Sequence, residues 1–336
     1  MITPDYSFLK KYFSKTRKII ITTHRTPDGD ALGSSIALYD RLKNQGHQVN
    51  IIVPNSFPDF LKFIPFSNDV IIFEENRQKG TDLINDADTF FFLDFNNYSR
   101  IDLMEDLISN HDGYKIMIDH HQSPSIDASQ ILSNTLICST AELIYDFLEK
   151  LNLGFSTAAA IALYTGIVTD SGSFKYDLVS SKTHLIVSKL LSYNINHGQI
   201  HRHLFDNNSI SRMKLLGRCL TTNFEVLPEY NTAFFFLNQN DLNDCEFSKG
   251  DTEGFVNMPL SLKGIVFSAF FIEYIDGVKI SFRSKTNFDV NIFSRNHFNG
   301  GGHKNASGGK ITSMDLKKTI EYFKTLLPDY KNELNS

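Results

Sequence analysis

Four short apolar runs punctuate the first third of the chain: "KIIIT" (18–22), "QVNIIVP" (48–54), "DTFFFLD" (88–94) and "YKIMID" (114–119). Their apolar positions are consecutive rather than alternating, so each predicts a strand buried on both faces. The polar, helix-compatible stretches between them complete a βα rhythm. After the first run, Leu32, Ile36, Tyr39 and Leu42 recur at helical spacing, and Gly46 is placed as a C-terminal cap. A second helical block, "STAELIYDFLEKLNLGFSTAAAIALYTGIVTD", closes the first half. The pattern then turns polar and broken between about 190 and 224, which reads as a helical linker. Beyond it lie the β-rich runs "YNTAFFFLN" and "GIVFSAFFIEYIDGVKISFRS", with Asp276 and Gly277 as a hairpin turn, and a final helix near 314–327. The expected fold is α/β: an N-terminal domain (1–190) with a mostly parallel sheet flanked by helices, a helical linker (191–224), and a smaller α+β domain (225–336). Two domains agree with 336 residues, more than one hydrophobic core usually holds.

Composition narrows the class. The chain is 41% hydrophobic and 21% charged, and no segment approaches the roughly 18 uninterrupted apolar residues of a membrane helix. The N-terminal lysines precede only a short apolar run with no small-residue cleavage site, so a soluble, cytoplasmic protein is expected. A net charge of −5 argues against a broad nucleic-acid-coating surface but allows a local basic pocket, so any nucleic acid bound should be short. Cys138, Cys219 and Cys245 are far apart and form no CxxC pair, which suggests packing residues rather than disulfides or a thiolate metal site.

In open parallel sheets ligands collect at the carboxyl ends of the strands, and three polar clusters fall there. They are His24, Asp28 and Asp30 in "THRTPDGDALGSS", then Asp94, then Asp119, His120 and His121; a fourth element, "TGIVTDSGSF", places Asp170 at the end of a helix. Each has a bland explanation: Asp30 as a helix N-cap, Asp28 as a turn residue, Asp94 or Asp170 as a polar stop, His121 as a packed histidine. Brought to one sheet edge, the carboxylates would repel one another and raise each other's pKa values unless cations sat between them. Two divalent ions would supply the missing charge. In the second domain, Gly300, Gly301 and Gly302 would let backbone N–H groups approach an anion, unless they form a flexible loop. Arg283 offers a guanidinium fork for a phosphate, with Ser284 and His303 as its neighbours in a clamp. Lys285, Arg295 and Lys304 add charge or solvated surface, and Phe174 is a base-stacking candidate with core packing as its commoner alternative.

These residues resemble a known family. "HRTPDGDA", "LDFNN", "DHHQS" and "TDSGSF" look like the four motifs of the DHH phosphoesterases, in order. "DTEGFVN" (251–257), "ISFRSK" (280–285) and "NGGGHKNASGG" (299–309) resemble the companion DHHA1 domain. The likeness spans nearly the whole chain, and within the family it points to the two-domain oligoribonuclease and pAp phosphatase group. The resemblance implies that His24 and Asp28 ligate one ion, Asp30, His120 and Asp170 another, and that Asp94 bridges both. It implies two Mn2+ ions, with Mg2+ as a substitute, and a water nucleophile. Asp119 would orient a histidine, and His121 would face the phosphate. The site would lie between the domains. Expected substrates are short single-stranded RNA or DNA oligonucleotides and pAp. Cyclic or linear dinucleotides are the alternative, with polyphosphate and pyrophosphate ranked lower, and a non-catalytic nucleotide-binding protein would be marked by lost ligands. A homodimer is left open.

Overall fold

The structure, a computed structural model, describes residues 2–285 and 287–335, and the side chain of His303 lies outside the described residues. The chain divides into two compact units, Met1–Asn207 and Asn208–Ser336. No described helix is long and apolar enough to cross a membrane.

In the first unit the four apolar runs become β1 (Lys18–Thr23), β2 (Gln48–Val53), β4 (Thr89–Leu93) and β5 (Tyr114–Asp119), joined by β3 (Ile71–Ile72) and β6 (Gln130–Ser133). All pairings are parallel, in the order β3-β2-β1-β4-β5-β6. β3 has two residues and β6 has four, too short to stand out in the apolar pattern. Consecutive apolar residues serve opposite faces, as the pleat requires. Ile19, Ile21, Phe91, Leu93, Ile116 and Ile118 join one core; Ile20, Phe90, Phe92 and Met117 join the other. Among the described residues, the α-helices of this unit are α1 (Tyr6–Tyr12), α2 (Gly29–Asn44), α3 (Arg77–Asn85), α4 (Glu105–Ser109), α5 (Thr140–Leu151), α6 (Thr157–Asp170), α7 (Ser181–Leu191) and α8 (His197–Phe205). Strand order reverses between β1 and β4, so the chain leaves their carboxyl ends in opposite directions and opens a crevice there.

Three local features sharpen the sequence reading. The helical block 139–170 is two helices, broken where Asn152 and Gly154 take left-handed backbone (φ 58° and 65°). The N-cap of α2 is Asp28 rather than Asp30: its side chain accepts from the N–H groups of Asp30 and Ala31, which leaves Asp30 in the first turn, aimed elsewhere. Gly46 follows the capping residue Gln45, and its φ of 86° ends the helix in the left-handed conformation that glycine tolerates.

The second unit holds β7 (Phe224–Leu227), β8 (Thr232–Leu237), β9 (Phe267–Tyr274), β10 (Gly277–Ser284), β11 (Gly301–His303) and β12 (Ala306–Ile311), in the order β11-β12-β10-β9-β8-β7. Among the described residues, β8 and β9 pair in parallel and the other neighbours pair antiparallel. Tyr274 pairs with Gly277, so the hairpin loop is Ile275 and Asp276, one residue before the expected turn, and Gly277 opens β10. Helices α9 (Ile210–Thr221), α10 (Gln239–Asp244), α11 (Val290–His297), α12 (Leu316–Leu326) and α13 (Lys331–Leu334) complete it. A phenylalanine core, including Phe267, Phe282, Phe293 and Phe323, fills one side of this sheet. The stretch expected as a linker forms α8 in the first unit and α9 in the second. All three cysteines are free and buried.

Candidate metal centre

The crevice of the first sheet gathers eight titratable side chains from four places in the chain. His24 follows β1 directly. Its Nδ1 lies 2.9 Å from the Arg25 carbonyl oxygen. A carbonyl only accepts, so Nδ1 carries the proton and Nε2 is turned toward Asp94 Oδ2 at 3.3 Å and Asp28 Oδ2 at 3.9 Å. His120, after β5, repeats the device. Its Nδ1 faces the Ile137 carbonyl at 3.3 Å, while Nε2 lies 3.3 Å from Asp170 Oδ2 and 3.5 Å from Asp94 Oδ1. An imidazole whose far nitrogen donates to a carbonyl is held in the tautomer a metal ion needs.

Asp94 stands at the centre. It is the residue after β4, its N–H still bonded to the Ile118 carbonyl at 3.1 Å, but its φ of 65° turns the chain sharply. Left-handed backbone at a non-glycine residue costs roughly 1–3 kcal/mol and persists where the surroundings fix it. The turn aims one carboxylate oxygen at His24 and the other at His120. Asp28 also divides its carboxylate, Oδ1 capping α2 and Oδ2 facing His24. Asp30 is fully enclosed and accepts the first two N–H groups of α5, Thr140 at 2.6 Å and Ala141 at 2.8 Å. Small residues make this possible. A Cβ on Gly33 would lie 2.3 Å from the Ala162 carbonyl, and one on Gly166 would lie 2.9 Å from Asp30 Oδ1, so α2 and α6 approach as only glycine allows.

Asp119 and His121 form a separate dyad. The buried Asp119 carboxylate accepts the His121 backbone N–H at 3.0 Å and its Nδ1–H at 2.6 Å. The histidine that Asp119 orients is thus His121, while His120 is oriented by a carbonyl.

Electrostatics identify what this cluster lacks. Burial pushes the Asp30 and Asp170 carboxyls above the ordinary 3.8, and the Asp94 charge adds to the shift. Burial acts on Asp94 in the same direction, but the bond from His24 and the charges of His121, His120 and His24 outweigh it and hold Asp94 below the ordinary range. Burial alone would lower His24 and His120; the bond to Asp94 at His24, and the charges of Asp94, Asp30 and Asp119 at His120, raise both. Among the described residues, every ion pair of Asp28, Asp94, Asp119 and Asp170 is with a histidine. Among the described residues these pairs include no lysine or arginine. Two donor sets, His24–Asp28–Asp94 and Asp30–His120–Asp170, each have their ligand atoms within 4.8 Å of one another, and Asp94 also groups with His120 and His121. Oxygen and imidazole donors without thiolate suit hard or borderline divalent ions. The one nearby thiol, Cys138, donates instead to Glu142. The residues fit such ions.

The second-unit residues are placed as follows. Arg283 is half-buried on β10, with Nη1 donating to the Phe282 carbonyl at 2.9 Å. Ser284 is buried; its hydroxyl donates to the Phe288 carbonyl and accepts from Asn305, so it already braces its own loop. The N–H groups of Gly300 and Gly302 are also engaged, by the Ser294 carbonyl and Asn291 Oδ1. A Cβ on Gly300 would lie 2.0 Å from both Gly308 O and Ser294 Oγ, so close packing accounts for that glycine. Gly301 pairs with Gly308 in the sheet. Phe174 packs against the first core and tilts against His184. Arg295 donates to Asn291 and Lys304 to Asn287.

The segment 137–141 escaped sequence reasoning. The Ile137 carbonyl holds His120, the Thr140 hydroxyl donates to Asp94 Oδ1 at 2.9 Å, and the N–H groups of Thr140 and Ala141 hold Asp30. Only its N-cap signature, Ser139 three residues before Glu142, is visible in sequence. That signature says where the helix starts, not what its first turn touches.

A parallel sheet whose strand order reverses at the crevice, with paired Asp/His donor sets there, defines a two-domain α/β protein whose crevice residues could hold divalent metal. The chain belongs to the DHH family: the DHH family N-terminal domain matches residues 18–167 and the DHHA1 domain matches residues 235–329. Among its relatives is the bifunctional oligoribonuclease and PAP phosphatase NrnA of Thermus thermophilus, 27% identical over 307 residues, 90% of this chain and 87% of that protein. The protein of the same name from Bacillus subtilis is 29% identical over 301 residues, 88% and 90% of the two chains. A crystal structure of an exopolyphosphatase-related protein from Bacteroides fragilis is 39% identical, covers 98% of this chain and 97% of its own, and superposes with a TM-score of 0.96.

Proposed function

We propose that this chain is a metal-dependent phosphoesterase that hydrolyses oligonucleotides of a few residues to mononucleotides, and pAp to AMP. The observation that carries this reading is Asp94, which gives one oxygen to each of two Asp/His donor sets at the sheet crevice. The two relatives whose names state these activities align over about nine-tenths of the chain, which supports the substrate class. In this reading His24 and Asp28 would hold one divalent ion and Asp30, His120 and Asp170 a second, with Asp94 as a ligand available to each. Bound there, manganese, or magnesium in its place, supplies Lewis acidity toward the phosphate and a water acidic enough to attack at neutral pH.

The chain's own residues do the rest. The carbonyls of Arg25 and Ile137 keep the ligand imidazoles in one tautomer. Asp119 accepts the His121 Nδ1–H and so fixes the imidazole that, in this reading, would meet the phosphate or return a proton to the leaving oxygen. Arg283, half-buried on β10 with Nη1 donating to the Phe282 carbonyl, is the second unit's phosphate-binding candidate because its planar guanidinium matches a phosphate as a lysine does not. The engaged N–H groups of Gly300 and Gly302 give the glycine run a packing role alongside any contact with substrate.

The test is a panel with manganese: a 5′-phosphorylated RNA dinucleotide, pAp, cyclic di-AMP, pyrophosphate and polyphosphate, with products resolved by ion exchange. Mononucleotides from the dinucleotide together with AMP from pAp are expected. Opening of the cyclic substrate alone would replace this reading by a signalling dinucleotide phosphodiesterase. Phosphate release from polyphosphate alone would follow the name of the Bacteroides relative instead.

A further inference from the structure

Thr140 opens α5 and is fully buried. It lies outside the four signature segments, yet it touches carboxylates of both donor sets: its hydroxyl donates to Asp94 Oδ1 at 2.9 Å and its N–H to Asp30 Oδ2 at 2.6 Å. Helix capping does not explain the hydroxyl, because the N-cap bond of α5 comes from Ser139, whose side chain accepts from the Glu142 N–H. Packing does not explain it either, since a buried hydroxyl carries a desolvation cost that an isosteric methyl avoids.

What the hydroxyl does is distinguish the two oxygens of Asp94. Oδ1, the oxygen it bonds, lies 3.5 Å from His120 Nε2, and Oδ2 lies 3.3 Å from His24 Nε2. A carboxylate turns about its Cβ–Cγ bond, a broad torsion that does not hold one angle by itself. A donor fixed at one oxygen supplies the missing restraint. We infer that Thr140 is a positioning residue, which sets the rotation of the Asp94 carboxylate so that each donor set receives one oxygen. The inference rests on the two-ion reading of the site. It makes the first turn of α5 a brace common to both halves of the centre: its backbone fixes Asp30 and its one hydroxyl fixes Asp94.

Thr140→Val removes the donor while keeping volume and β-branching; Thr140→Ser keeps the donor. Manganese binding to wild type and both variants would be measured by isothermal titration calorimetry, with kcat and KM on the RNA dinucleotide and the metal-free Tm alongside. Loss of a group that orients a ligand typically costs ~10–100-fold in metal affinity or activity, so Thr140→Val is expected to weaken manganese binding by that factor. Its kcat should fall with little change in KM, and Thr140→Ser should retain both affinity and rate. Wild type that binds no manganese would overturn the metal reading itself. Wild type that binds, beside a Thr140→Val that binds equally well, would overturn only the role of Thr140, as would a lower Tm with unchanged affinity. Should Thr140→Val not fold, loss of affinity in Thr140→Ser would be enough to reject the inference.

Discussion

Adding manganese to the metal-free protein should raise its melting temperature, and by more at pH 8 than at pH 6. An ion that binds only the folded state adds ~2.7 kcal/mol of stability at a free concentration of one hundred times Kd. The unit that carries the centre spans 207 residues. At that size ~1 kcal/mol moves Tm by ~2–4 °C, so each ion should contribute about 5–11 °C. The pH dependence follows from the cluster's protons. Asp30, Asp170, His24 and His120 all have raised pKa values in the folded state. A raised pKa stabilises the fold below the ordinary value and loses that contribution as the pH rises through the folded value. For the two histidines the loss falls above 6.5, and for the two carboxyls it runs upward from 3.8. Asp94 is shifted down, so its contribution is present above 3.8, is lost only in acid, and stays constant between pH 6 and 8. Metal binding needs these ligands deprotonated, and protons therefore compete with it most at pH 6. Burial lowers His47, His201 and His297, which gives the opposite slope. These three act equally with and without metal, so the increment produced by manganese, rather than Tm itself, is the readout in differential scanning fluorimetry. An increment that is absent at saturating metal, or larger at pH 6, would refute the reasoning.

Other outcomes follow from single residues. Asp94→Ala removes the shared ligand and should leave less than about a tenth of the wild-type rate on the RNA dinucleotide; a variant above that level would remove the shared-ligand assignment. Asp119→Asn cannot accept both the His121 backbone N–H and its Nδ1–H through carboxylate oxygens, and kcat should fall by ~10²-fold or more, with manganese affinity nearly unchanged. If the affinity collapses instead, Asp119 supports the metal ligands rather than the proton-transfer histidine. Gly33→Ala places a methyl 2.3 Å from the Ala162 carbonyl, which neither backbone can relieve cheaply. It should cost ~1–3 kcal/mol in chemical denaturation, and an unchanged midpoint would show that α2 and α6 can part without penalty. Arg283→Lys should raise KM for phosphorylated substrates while leaving Tm near wild type, because the ammonium lacks the planar fork; an unchanged KM would eliminate Arg283 as a phosphate contact.

Much of this protein was legible as a string because its strongest signals are local. Ile19 to Ile21, Phe90 to Leu93 and Ile116 to Ile118 are consecutive because each strand is covered on both faces, so the residues report their own burial. The residues that end those strands, His24, Asp94 and Asp119 with His120, were placed at the crevice once the sheet was taken as parallel. Local signals failed where the partner is distant in sequence. Asp28 and Asp30 are both acidic residues at a helix start, and only the folded chain shows that Asp28 caps α2 while Asp30 reaches the first turn of α5, 110 residues away. Ser284 and Gly300 read as substrate contacts in a polar, glycine-rich string, and the fold adds a structural role to each: Ser284 ties down its own loop and Gly300 admits close packing. Thr140 carried no signal at all, because a threonine at a helix start is ordinary until its neighbour is known to be Asp94. The sequence by itself therefore determined the βα order and the chemical types of the candidate ligands, which depend on residues close together along the chain. Which oxygen of Asp94 faces which histidine, and what holds it there, was decided by the tertiary structure, because those atoms come from four separate segments whose separation only packing sets.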